Sequence, residues 1–199
     1  MTKRKIAIAI AAAALAGTCA IGGTLAWLTS TDTVTNTFTM GDVNMVITET
    51  MLGTDTRTEY GQEYKIVPGG SATKDPQFEI AEDSEDAWLF AYIDDTLMVD
   101  GTAAVEKYNF AEGWVKVEGN LYVYGTEAGG VYTPTVVEAD DDILFFTSIE
   151  FSDSLVADKE DSNNGVAGDI DVKGFLIQSE NMDWATALAA AKGAFGLNA

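Results

Sequence analysis

Histidine is absent from all 199 residues. That one absence excludes Ser-His-Asp triads and HExxH zinc helices, and it removes the commonest general base. Cysteine occurs once, as Cys19, and proline three times. Basic residues are scarce as well, 11 Lys and Arg against 32 Asp and Glu, a formal charge of −21. Nucleic-acid binding needs a basic footprint and is excluded as a function class; anionic membrane surfaces are disfavoured for the same reason. No nucleophile elbow, phosphate loop or metal-ligand spacing appears, so the sequence carries no specific catalytic signal and is read as non-enzymatic.

What is present begins with an export signal. Lys3, Arg4 and Lys5 form a basic start, and an uncharged run rich in Ala and Gly extends from Ile6 to Leu28. With the small-x-small site Thr24-Leu25-Ala26 this makes a three-part secretory signal, residues 1–26, that is cleaved to leave Trp27 as the new N-terminus. The competing reading is an uncleaved anchor, since the run is just long enough to span a bilayer. Ala and Gly are poor spanning residues, however, and no basic stop-transfer cluster follows. The chain is therefore expected to meet a membrane only before cleavage. Around Cys19 a lipid-attachment site would want an aliphatic residue where Ala16 stands and a small one where Thr18 stands. Cleavage at Ala26 would remove the only thiol and thus any disulfide staple. It would also take three of the 11 basic residues and none of the 32 acidic ones, leaving a formal charge of −24.

Beyond the signal, residues 27–41 read as an extended, Thr-rich arm and residues 42–199 as one domain. The arm has no proline and few helix formers, and Thr favours extended backbone. Val43–Thr48 and Glu63–Val67 read as strands, the second stopped by the turn signal Pro68-Gly69-Gly70-Ser71. Pro76–Ile80 alternates as a half-buried strand should, and Ala87–Ile93 is apolar enough for a central strand buried on both faces. Asp94-Asp95 and Asp100-Gly101 bracket a continuation over Thr96–Val99, and Ala103–Phe110 is expected to hold a turn or two of helix. Trp114–Val117 and Leu121–Tyr124 form a hairpin candidate. Val131–Val137 reads as an edge strand because of Pro134. Ile143–Phe151 is a second buried run, Ile170–Gln178 alternates, and Met182–Lys192 is a short amphipathic helix. Eight or so strands without alternating helices predict an antiparallel β-sandwich or barrel. Trp88, Trp114 and Trp184 are expected in its core.

Two acidic stretches are candidates for Ca²⁺, which takes several oxygen ligands. One is Asp140-Asp141-Asp142, with Asp140 and Asp142 as ligands, against a plain solvated turn. The other is Glu160–Asp171, where Glu160, Ser162, Asn164 and Asp171 partly match a Ca²⁺ loop. Its first place should be Asp and its last Glu, and an acidic hairpin loop with Asn164-Gly165 at its tip explains the residues equally. Otherwise no cofactor is implied. Asp94 and Asp95 are neighbours on one strand, so they point to opposite faces and cannot share a substrate.

Gly22-Gly-Thr-Leu-Ala-Trp-Leu-Thr-Ser30 followed by Asn36-Thr-Phe-Thr-Met-Gly41 resembles the signal region of the TasA/camelysin family. Val67-Pro-Gly-Gly-Ser-Ala-Thr-Lys-Asp-Pro-Gln-Phe-Glu79 and Trp88–Ile93 extend the likeness, which is strongest over residues 22–93. The resemblance implies a jelly-roll-like β-sandwich, exported by a Gram-positive bacterium to its matrix or surface and processed by a dedicated SipW-type signal peptidase. It also implies self-association into biofilm fibres by donor-strand exchange, with the arm as donor through Val34, Asn36, Phe38 and Met40. A monomeric secreted or cell-surface binding module, Ca²⁺-dependent or not, is the alternative. Some camelysin-type relatives are described as metalloendopeptidases; a chain without His departs from that chemistry.

Overall fold

Ala87–Asp95 is apolar on both faces, and the rest of the fold is built around it. In the computed structural model, which describes residues 42–156 and 165–197, sixteen strands and one helix are seen among those residues. The first eight strands are β1 (Met45–Thr50), β2 (Arg57–Thr58), β3 (Ser71–Ala72), β4 (Gln77–Ile80), β5 (Ala87–Asp95), β6 (Met98–Val99), β7 (Thr102–Ala103) and β8 (Val105–Phe110). There follow β9 (Trp114–Glu118), β10 (Leu121–Ala128), β11 (Val131–Pro134), β12 (Val136–Val137), β13 (Asp142–Leu144), β14 (Phe146–Phe151), β15 (Val166–Ala167), β16 (Ile170–Gln178) and the helix α1 (Trp184–Ala194). All of their pairings are antiparallel.

Strand β5 pairs with β16 along its whole length, Ala87 opposite Gln178 and Asp95 opposite Ile170. Its other edge is shared by β10, across from Phe90–Tyr92, and by β12, across from Ala87 and Trp88. Strand period then sorts its side chains. Leu89, Ala91 and Ile93 enter one apolar cluster with Phe78 and Ile80 of β4 and Phe146, Ile149 and Phe151 of β14. This is the interior of a sandwich, with the β5 sheet on one side and the sheets β13-β4-β1-β2 and β3-β14-β8 contributing the other. Gly174 of β16 shows how closely the layers meet, since a Cβ there would lie 2.7 Å from Phe78 Cε1.

The opposite face of β5 presents Trp88, Phe90 and Tyr92 to a second cluster, closed by α1. Ala187 and Ala191 are fully buried there, their small side chains letting the helix lie close to the sheet. Asp183 caps the helix by accepting from Thr186 N at 3.0 Å. Trp184 stacks on Phe90 at 5.8 Å and on Tyr132 at 5.2 Å between ring centroids.

The all-β antiparallel class and the closing helix agree with the sequence reading, as do the β9–β10 hairpin, the doubly buried β5 and the edge position of β11. Trp88, Trp114 and Trp184 pack half-buried against the two clusters. Four expectations need correction. Ala103–Phe110 is not helical, because pairing of β8 with β14 overrides the helix-favouring Ala-Ala-Val-Glu-Lys composition. The run Ile143–Phe151 is two strands in separate sheets, turned at the fully buried Phe145. Only Met98-Val99 of Thr96–Val99 is strand, paired with β7 and β15. Glu63–Val67 is in no ladder among the described residues. The signal, its cleavage residues Thr24, Ala26 and Trp27, and the arm with Val34, Asn36, Phe38 and Met40 lie outside the described residues. Gly41–Ala199 forms one compact unit. No helix among the described residues is long and apolar enough to cross a membrane.

Candidate functional site: a groove beside an extended segment

Residues 61–67 have the alternating burial of a strand, with no ladder partner among the described residues. Gln62, Tyr64 and Ile66 are half-buried while Gly61, Glu63, Lys65 and Val67 are exposed, the period of two that extended backbone imposes. No backbone hydrogen bond is made by residues 61–66 among the described residues. The segment ends where Gly70 N donates to Val67 O at 2.8 Å, a turn that uses the positive φ of 67° at Gly69. Phe151 N donating to Gly70 O at 2.9 Å ties this turn to β14.

Side chains alone hold the segment on its inner side. Gln62 Nε2 donates to Thr50 O at 2.8 Å and its Oε1 accepts from Leu52 N at 2.6 Å, so one amide serves as a two-point clamp. Tyr64 Oη donates to Glu49 Oε2 at 3.1 Å, and Lys74 Nζ is paired with Glu49 Oε1. The Lys74 ammonium also lies 5.6 Å from the centroid of the Tyr64 ring. Burial first, then the Glu49 charge, pushes the Tyr64 phenol well above its ordinary range, which keeps it a donor. One strand position away, Arg57 Nη1 meets Asp75 Oδ2 at 3.2 Å while Nη2 donates to Thr48 O and Asp75 O.

Against this segment runs an open groove of about 720 Å³. Its apolar lining comes from Ile66, Leu97, Ile149, Phe151, Val166 and Ile170, its carboxylates from Glu63, Asp169 and Asp171, and its remaining polar groups are Gln62, Tyr64 and Lys74. A smaller cavity of about 170 Å³ continues past Pro68 to Val99 and Leu155. The groove is thus bounded on one side by residues 61–67, which have no ladder partner among the described residues, and by the β15–β16 region on the other, over the sandwich interior. A segment lying there finds backbone donors and acceptors along one edge and apolar surface beneath it.

The residues singled out from sequence are dispersed. Asp140 sits in the turn before β13 with a φ of 65°, Asp142 opens β13 opposite Glu79, and Asp171 faces Asp94 across β16 and β5. Glu160, Ser162 and Asn164 are outside the described residues. Asp94 and Asp95 do point apart: Asp94 Oδ2 accepts from Lys173 Nζ at 2.6 Å, and Asp95 Oδ2 from Tyr108 Oη at 2.7 Å. Sequence reasoning passed over Glu49 and Tyr64, and met Lys74 only as part of the motif Val67–Glu79. The available signal was an isolated Lys74 leading into Pro76–Ile80, a charge beside a buried strand that must find a partner.

A family model described as camelysin metallo-endopeptidase matches residues 1–57. Comparison with curated proteins and with solved structures returns no match. The residues present do not fit the metal centre that the description names. The sequence offers no imidazole, and among the described residues no three Cys, Asp or Glu side chains converge so as to hold an ion. With the signal-region motif and the match over residues 1–57 in agreement, the chain is similar to the TasA/camelysin family, and its N-terminal 57 residues are where that is shown.

Proposed function

We propose that this chain is an exported, non-enzymatic structural protein of a Gram-positive cell surface or matrix. A SipW-type signal peptidase frees residue 27, and the copies then assemble into fibres by strand addition. The arm of one copy, residues 27–40, lies in the groove of the next and pairs with residues 61–67. The observation that carries this reading is an extended segment, without a ladder partner among the described residues, beside a groove with apolar side chains in its lining. Backbone hydrogen bonds along an edge supply affinity, and alternate side chains supply specificity. The arm sequence is suited to the place: Val34, Asn36, Phe38 and Met40 alternate with Thr33, Thr35, Thr37 and Thr39, so a strand here has one largely apolar face and one hydroxylated face. Asp32 is its only charged side chain, so the arm adds little repulsion to the acidic groove.

The test compares the secreted chain beginning at residue 27 with one beginning at residue 42, by electron microscopy and sedimentation. Filaments from the longer chain and folded monomers from the shorter are expected. Equal filament yield from both sinks strand addition; monomers from both turn the reading to a binding module whose groove takes a segment of another protein.

A further inference from the structure

Eight Lys and Arg follow residue 41, and seven of them are among the described residues. Arg57 is tied to Asp75 and its backbone lies in the β1–β2 ladder, while Lys74 is only 8% exposed. Lys107, Lys116 and Lys173 have exposed side chains, but their backbone is paired with β14, β10 and β5. Lys192 is helical and meets Glu118 at 2.7 Å. Among the described residues, Lys65 alone joins an exposed side chain to backbone outside any helix or ladder.

We infer that the Lys65–Ile66 bond is a cleavage site for an endopeptidase that cuts after a basic residue, reached by detachment of residues 61–68 while the sandwich stays folded. Such an enzyme grips its substrate as an extended strand, through main-chain hydrogen bonds and alternate side chains, so backbone held in a helix or ladder must first unfold. Detaching residues 61–66 breaks side-chain contacts only: the Gln62 clamp on Thr50 and Leu52, the Tyr64–Glu49 bond and the packing of Ile66. Glycines stand at both ends, Gly61 and the Gly69 turn, where the chain can pivot. Water adds across the bond: its hydroxyl goes to the Lys65 carbonyl carbon, which becomes a carboxylate. The C–N bond breaks, and the Ile66 nitrogen leaves as a protonated amino group. The two pieces stay together, because Met45–Thr48 remain paired with Gln77–Ile80 across the cut. The cut parts Tyr64 from Ile66, whose side chains line both the groove and the smaller cavity, and so joins those two spaces. None of this depends on what fills the groove.

Trypsin at low concentration is the probe, acting on the chain secreted from residue 27 and followed by mass spectrometry. The chain carries Lys159→Gln, which removes the one basic residue beyond position 41 that lies outside the described residues. The first cut should fall between Lys65 and Ile66, adding the mass of one water, and the pieces should co-elute until urea separates them. Its rate should rise little in low urea, because local detachment exposes far less surface than global unfolding. Gln62→Ala removes two hydrogen bonds from the attached state and should speed the cut about tenfold or more. Lys65→Gln should leave the chain whole over the same period. A first cut at any other residue, no cut short of global unfolding, or a rate indifferent to Gln62→Ala overturns the inference.

Discussion

Asp75 takes up opposing influences at a single residue. Burial raises its pKa, but the bonds from the Thr50 hydroxyl and Thr50 N, followed by the Arg57 guanidinium, outweigh it and hold the carboxyl below its usual value. A depressed folded pKa contributes stability that is present above the unfolded value and is lost as pH falls through the folded one. Asp75→Asn should therefore destabilise by about 1–3 kcal/mol at neutral pH, because Arg57 loses the closer of its two ion pairs and keeps only Glu79 at 3.7 Å. The difference between variant and parent should shrink as pH drops below the carboxylate range. Urea titrations at neutral and acid pH check this, and a gap that stays constant with pH would show that the charge is not what matters. Such roles were only half legible in the sequence. Thr-Lys-Asp before Pro76 stood out as a motif, yet which of Lys74 and Asp75 meets Glu49 and which meets Arg57 follows from β1 and β2 coming alongside. That is a contact between residues tens of positions apart, which no local pattern encodes.

At the scale of elements, periodicity was the reliable guide and partner choice was hidden. Ala87–Ile93 and Ile170–Gln178 were visible because burial on both faces, or alternation, is written into consecutive residues. The strand over Glu63–Val67 was read correctly as a pattern and incorrectly as a ladder, since a period of two specifies the face and says nothing about what lies across the edge. Phe145 was unreadable as a corner, because a buried Phe in a run of apolar residues looks the same whether the sheet continues or changes. For the helix the test is Trp184, which bridges α1 to both Phe90 and Tyr132. Trp184→Ala should destabilise by roughly 2–4 kcal/mol, somewhat under the loss for a fully buried Trp, and should expose the outer face of β5. Chemical unfolding and dye binding measure both; unchanged stability would mean that the helix is not part of the cooperative unit.

For the whole molecule, net charge sets the condition that the proposed assembly must meet. A cleaved chain at −24 repels its copies, and the Debye length falls from about 30 Å at 0.01 M salt to about 8 Å at physiological strength. Filament yield should therefore rise steeply over that range and level off beyond it, as followed by light scattering; assembly suppressed by added salt would point to ion pairs as the driving contact instead. Assembly by strand addition, as proposed, has one more consequence. A contact made from an arm on one copy and a groove on another is head-to-tail and does not close on itself. Every filament so built is polar, with an empty groove at one end and an undocked arm at the other. Growth can then be stopped at a single site per filament, by any short peptide with the arm's alternation, in amounts set by the number of ends rather than by the mass of protein.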